Sequence, residues 1–146
     1  MEARKCIVHP TDFSAGAEAA FTHALEVAKR DGAELILAHV LEPVYGFGDE
    51  MYTARSIDLR DAAETAARTE FDRLLAAAKT AGVAASDVLL DGSAPEQIVK
   101  LAEERGAELI VMGTHGRTGI RKLLLGSVAQ RVVATAPCPV LTVRTR

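Results

Sequence analysis

Residues 108 to 116 read Glu108-Leu109-Ile110-Val111-Met112-Gly113-Thr114-His115-Gly116, and after nine further residues the chain continues Gly126-Ser127-Val128. Leu109 to Met112 is an unbroken apolar run between a charge and a glycine, the composition of a short strand covered on both faces. The strand passes directly into a loop, Gly113 to Leu125, and the loop into a helix, Gly126 to Thr135. Pro139 to Val143 then supplies a second strand. Two strands joined through a helix must be parallel, because a tight turn can join only antiparallel ones.

The same alternation runs back to the N-terminus. Lys5 to His9 is a strand. Ser14 caps a helix whose apolar face is Phe21, Ala24, Leu25 and Ala28 and which stops at Asp31-Gly32. Glu34 to Val40 is the second strand. Leu59 to Thr80 is an alanine-rich helix with Ala63, Ala67, Phe71, Leu74 and Ala78 on one face, ended by Gly82. Asp87 to Leu90 is a short third strand, and Ser93-Ala94-Pro95-Glu96 opens the next helix with a capping-box pattern and an early proline. Ile98, Leu101 and Ala102 form that helix's buried stripe.

The order is βαβαβαβαβ with no break in composition and no linker, so residues 1–146 are expected to form one domain. The expected fold is α/β: a doubly wound, five-stranded parallel sheet with helices on both faces. Of the two common arrangements, 3-2-1-4-5 places strands one and four side by side. Residues after His9 then face residues after Met112, at the reversal of strand order where such folds bind ligands.

The loop after strand four has the makings of a phosphate cradle. Glycine permits positive φ and close approach of main chain to a ligand. The first-turn N–H groups at Gly126, Ser127 and Val128, with the positive end of the helix dipole, suit an anion. The Ser127 hydroxyl can donate to a phosphate oxygen or reach a metal ion, and Arg117, Arg121 and Lys122 add positive charge or simply solvate the loop. His115 is either a phosphate contact or a solvated loop residue. The sequence Gly-Lys-Ser/Thr of a P-loop is absent, and the dinucleotide fingerprint would follow strand one instead. Asp12, at the switch point, is read as a ligand group in preference to a turn residue. His9, His39 and His115 fall at the same end of the sheet without the spacing of a metal site, and none is expected.

These motifs, taken together, resemble the signature of the universal stress protein family. Gly113-x2-Gly116-x9-Gly126-Ser127 is its most specific part; Pro10-Thr11-Asp12-Phe13-Ser14, His39-Val40 and Gly92-Ser93-Ala94-Pro95 also match, and the likeness spans essentially the whole chain. The resemblance implies an adenine-nucleotide alpha-hydrolase-like fold and a site for ATP, ADP or AMP, with or without Mg2+. It places Asp12 beside the nucleoside, Val40 main chain at the adenine edge, and Met112 and Gly113 near ribose and phosphates. Gly116, Gly126, Ser127 and Val128 would hold the phosphates. Pro10, Thr11, His115 and Arg117 complete the expected set. Some family members bind ATP and others have lost the glycines; this chain keeps them all and so resembles the ATP-binding branch. The family commonly dimerises through its last strand, here Pro139 to Val143.

Bulk properties bound the function. The chain is 49% apolar and 25% charged with a net charge of -3, which argues against nucleic acid as the main partner. No apolar run approaches the ~20 residues of a membrane span, and Met1 to Lys5 leads straight into a strand, so a cytoplasmic location is expected. Cys6 and Cys138 lie in apolar runs and are expected to be unbridged thiols. Glu42 to Arg55 holds Tyr45, Phe47 and Tyr52, which either cover the ligand or pack locally or against a second subunit. No nucleophile–base pair and no cluster of metal-binding carboxylates is visible, so no catalytic residue is assigned. The expected function is a dimeric, nucleotide-binding regulator in a stress response, read by an unidentified partner protein, with at most slow hydrolysis. A weak Mg-dependent ATPase or phosphotransferase using Asp12 is one alternative, and an interaction dimer without nucleotide is another. A phosphoacceptor receiver is disfavoured by the single acid, Asp12, after strand one, and a flavin carrier by a glycine loop after strand four.

Overall fold

Beta-branched and aliphatic runs form the strands, and amphipathic segments between them form the helices. The computed structural model describes residues 4–43, 54–115 and 125–145. Its elements are β1 (Cys6–Pro10), α1 (Ala15–Asp31), β2 (Glu34–Leu41), α2 (Ala54–Thr80), β3 (Ala85–Asp91), α3 (Ala94–Arg105), β4 (Leu109–Gly113), α4 (Ser127–Thr135) and β5 (Val140–Val143). They build one five-stranded sheet in the order β3-β2-β1-β4-β5, with every pairing parallel. This is the expected doubly wound topology.

Alternation along each strand feeds two cores. Ile7, Leu35, Leu37, Val111 and Val143 point to the face covered by α1 and α2, where they meet Phe21, Ala24 and Ala28 of α1 and Phe71, Leu74 and Ala78 of α2. Cys6, Val8, Ile36, Ala38, Ile110 and Met112 point the other way, onto Ile98, Leu101 and Ala102 of α3 and Ala129 and Val132 of α4. Both faces are covered, which is why the central strands carry almost no polar residue. Gly32 and Gly106 end α1 and α3 at φ 63° and 59°, the left-handed conformation in which glycine alone meets no steric penalty.

Two elements differ from the sequence reading by more than one residue at a boundary. α2 begins at Ala54, earlier than Leu59. Its turns from 57 to 63 are exposed, including Ile57 and Leu59, so no buried stripe marks the start. β3 runs from Ala85 to Asp91 because its ladder with β2 continues from Leu35↔Ala85 to Leu41↔Asp91. Cys6 and Cys138 are free thiols, and burial raises the pKa of both.

Candidate functional site

The turn from β1 into α1 is built by short side chains that bond main chain. Thr11 N–H extends the ladder to Ala38 O at 2.8 Å. Phe13 N–H donates to Thr11 Oγ1 at 3.0 Å, Ser14 N–H to Asp12 Oδ1 at 3.0 Å, and Ala17 N–H to Ser14 Oγ at 3.2 Å. Phe13 stands at φ 64°, a left-handed conformation that costs a bulky residue on the order of 1 to 3 kcal/mol. Its ring is held 4.7 Å from the His39 ring and 5.6 Å, edge-on, from Phe71. Asp12, half-buried, is thus presented at the end of β1.

β1 and β4 pair only at Ile7↔Leu109 and Val8↔Ile110 and then part. Beyond that point His9 Nδ1 donates to Val111 O at 2.8 Å. A carbonyl can only accept, so Nδ1 carries the ring proton. His9 is fully buried, and desolvation pushes its pKa down to about 4, which keeps the ring neutral near pH 7.

Three glycines let the loops close on this crevice. A Cβ on Gly113 would stand 3.1 Å from Gly16 O, one on Gly16 3.2 Å from His115 O, and one on Gly126 3.1 Å from Thr114 O. Of the two freedoms that glycine offers, positive φ is not the one used by Gly113 and Gly126, and Gly126 sits at φ -69°. Their requirement is room for neighbouring main chain. Gly126 N–H donates to Thr114 O, and Gly126 is the N-cap of α4 with no side-chain capping bond. Ser127 is therefore the first residue of the helix and not its cap. The Gly126 N–H is taken by Thr114 O, and Ser127, Val128 and Ala129 of the first turn of α4 line the crevice.

Between these elements lies a cleft of about 650 Å3, within the range of small-molecule sites. Twelve residues were expected at a nucleotide site. Gly116 and Arg117 lie outside the described residues, and the remaining ten all line the cleft: Pro10, Thr11, Asp12, Val40, Met112, Gly113, His115, Gly126, Ser127 and Val128. Arg121, Lys122, Tyr45, Phe47 and Tyr52 also lie outside the described residues. His39, Glu42, Ala63 and Thr114 line the cleft and were not in the expected set. Ala63 falls on the helix stripe with Ala67 and Phe71, yet it is exposed and lines the cleft.

The α3 end of the cleft corrects the capping-box reading. Ser93 is the N-cap of α3 but makes no side-chain bond to it. Glu42 Oε1 accepts from Ala94 N–H instead, at 3.4 Å. The three histidines do not converge on a common point. His9 bonds Val111 O, His39 Nδ1 donates to Thr11 O at 2.7 Å, and His115 Nδ1 shares a 3.1 Å hydrogen bond with Thr114 Oγ1.

Chemically, the cleft joins an apolar wall (Ala38, Val40, Leu41, Ala63) to a helix N-terminus and a carboxylate, the surfaces that a base, a phosphate and a ribose respectively demand. Comparison with known proteins agrees with this geometry. The model of the universal stress protein family matches residues 3–144. A universal stress protein of Thermus aquaticus is 40% identical, covering 96% of this chain and 98% of its own length. The structure of universal stress protein UspA from Lactobacillus plantarum superposes with a TM-score of 0.89 at 27% identity, over 98% of this chain and all of the other. A universal stress protein from Archaeoglobus fulgidus, solved in complex with dAMP, superposes at 0.67 with 27% identity over 97% and 98% of the two chains. Another, solved with cAMP, superposes at 0.71 with 28% identity over 99% and 100%.

Proposed function

The chain belongs to the universal stress protein family, and on that premise we propose that it is a single-domain adenine-nucleotide-binding regulator whose natural ligand is ATP or its products ADP and AMP. The observation that carries the proposal is the meeting of all ten described site residues in one cleft at the β1/β4 switch point, with the uncapped start of α4 opening into it. Solved family members in complex with dAMP and cAMP support the adenine class.

In this reading the base lies along Ala38, Val40 and Leu41, the ribose beside Asp12, and the phosphates at Gly126, Ser127 and Val128. Gly116 and Arg117, outside the described residues, complete the expected phosphate contacts, and Mg2+ would accompany the phosphates as a counter-ion. The chain's own contribution is binding and orientation: helix N–H groups for the anion, a dry wall for the base, a carboxylate for hydroxyls. Turnover is slow in this reading, because the described residues bring no cluster of metal-binding side chains to the phosphate position. The protein acts as a cytoplasmic homodimer joined through its last strand, and a partner protein reads its occupancy in a stress response.

Calorimetry with ATP, with and without Mg2+, tests the proposal on the wild type and on Ser127→Asp. An acidic residue in the first turn of α4 favours the helix by its dipole but repels a phosphate there. Wild type should bind in the micromolar range, and Ser127→Asp should bind at least about tenfold more weakly while unfolding no earlier. Gly116→Val with Gly126→Val should abolish binding. Absence of wild-type binding, in protein shown to be folded and free of carried-over nucleotide, removes the proposal in favour of an interaction dimer. Phosphate release in the same samples decides the ATPase alternative, which requires turnover that Asp12→Ala abolishes without loss of binding.

A further inference from the structure

The ladder between β1 and β2 stops one rung short of where its geometry allows, and a side chain stands in the missing place. Glu34 N–H donates to Lys5 O and Thr11 N–H donates to Ala38 O, so the even-numbered residues of β2 turn their main-chain groups toward β1. Leu35 N–H donates to Ala84 O and Leu41 O accepts from Gly92 N–H, so the odd-numbered residues turn theirs toward β3. The next even residue is Val40. Continuing the parallel pattern would send its N–H to Thr11 O. That rung is absent among the described residues, and Thr11 O accepts from His39 Nδ1 at 2.7 Å.

The same imidazole braces the turn beyond. Its ring lies 4.7 Å from that of Phe13, the residue at φ 64°, which Phe71 supports from the other side. Two hydrogen bonds are local to the turn, Phe13 N–H to Thr11 Oγ1 and Ser14 N–H to Asp12 Oδ1, and a third, Ala17 N–H to Ser14 Oγ, ties it to α1. Thr11 N–H, Thr11 O and the Phe13 ring tie it to the sheet and to α2. His39 engages both Thr11 O and the Phe13 ring.

We propose that His39 is a positioning residue for nucleotide binding: by taking the Thr11 carbonyl through Nδ1 and packing on Phe13, it ends the β1–β2 ladder early, leaves the Val40 main-chain edge to the cleft, and fixes the turn that presents Asp12. The inference rests on the nucleotide-binding reading above. It separates two roles that one histidine lining the cleft could play. Positioning uses Nδ1, and direct ligand contact would use Nε2. The amide nitrogen of asparagine falls near the place of Nδ1, and that of glutamine near the place of Nε2.

The test is a series on the full chain: wild type, His39→Phe, His39→Asn and His39→Gln, each measured for ATP affinity by calorimetry and, without nucleotide, for amide hydrogen exchange at Phe13 and Ser14. His39→Phe keeps a ring on Phe13 but loses the donor; ATP binding should weaken about tenfold and exchange at both amides should quicken. His39→Asn should restore affinity to within about threefold of wild type and slow the exchange again, while His39→Gln should restore neither. Rescue by glutamine and not asparagine overturns the inference in favour of direct contact, and so does unchanged affinity in His39→Phe or failure of asparagine to restore it. If wild type binds no nucleotide, the functional reading falls by itself. The exchange measurements then decide the positioning role alone: quickening in His39→Phe that asparagine reverses upholds it, and unchanged exchange overturns it.

Discussion

His9 is the residue where burial and polarity conflict most. It sits fully buried on β1, its ring 5.8 Å from Phe21, with Nδ1 on Val111 O and no hydrogen-bond partner for Nε2 among the described residues. Burial lowers its pKa to about 4; the Val111 bond and the Glu18 and Asp12 carboxylates oppose that shift without cancelling it. Above the unfolded value of 6.5 both states are neutral and the group adds no pH dependence. Between 6.5 and 4 the unfolded chain takes up a proton that the folded chain refuses, so stability falls as pH falls, in total by on the order of 3 kcal/mol. Urea unfolding from pH 7.5 to 4 should show this loss in wild type and lack it in His9→Asn, which keeps a donor for Val111 O. Equal pH slopes in the two proteins would mean that His9 titrates normally. The sequence shows a histidine at the end of a strand but not what it bonds, because the partner is a carbonyl that every residue type possesses. Gly113 and Gly126 were legible as glycines for the same site, whereas the backbone atoms of Gly16 and Thr114 that exclude a Cβ there come together only in three dimensions.

At the scale of elements, the starts of α1 and α3 look alike in sequence and differ in physics. Ser14 and Ser93 are both N-caps with extended backbone, at ψ 169° and 125°. Ser14 Oγ accepts from Ala17 N–H, and Ser93 accepts nothing from its helix. Glu42, fifty-two positions before Ala94, accepts from the Ala94 N–H in the first turn instead. Ser14→Ala should therefore lower stability by about 1 kcal/mol, and Ser93→Ala by less than about 0.5 kcal/mol. Thermal or urea unfolding of the two variants checks this, and equal losses would show that Ser93 caps in solution. A local motif such as Ser-x-x-Glu reports what a helix start can do by itself. It is silent about a carboxylate delivered from a neighbouring strand, which is why this cap was misread. The early start of α2 was illegible for a related reason: periodicity reports burial, and those turns bury nothing.

The whole topology was readable because the central strands β2, β1 and β4 are covered on both faces and the helices on one, so the two periodicities rarely overlap. Connectivity then left few orders, and the one with strands one and four adjacent set the residues after His9 against those after Met112 before any coordinate was needed, while Val40 and Gly126 were placed by the family resemblance. The same topology leaves two open edges, β3 and β5, and they are not equivalent. β3 carries Asp87 and Asp91, tied back to α2 by Arg68 at 3.5 Å and by Arg60. Charges and a covering helix are what keep an edge from pairing with another chain. β5 reads Val140-Leu141-Thr142-Val143, with no charge and with Leu141 38% exposed. An uncharged edge strand invites a second copy across a two-fold axis, which pairs like with like and closes on itself. The dimer proposed here should therefore use β5, and Leu141→Lys should shift it toward monomer in sedimentation at micromolar concentration. Leu141 does not line the cleft, so ATP affinity per chain should survive the change. A wild-type monomer under those conditions would sink the β5 dimer. A Leu141→Lys dimer of unchanged strength would move the interface elsewhere, with the exposed Ile57 and Leu59 of α2 as the next surface to substitute.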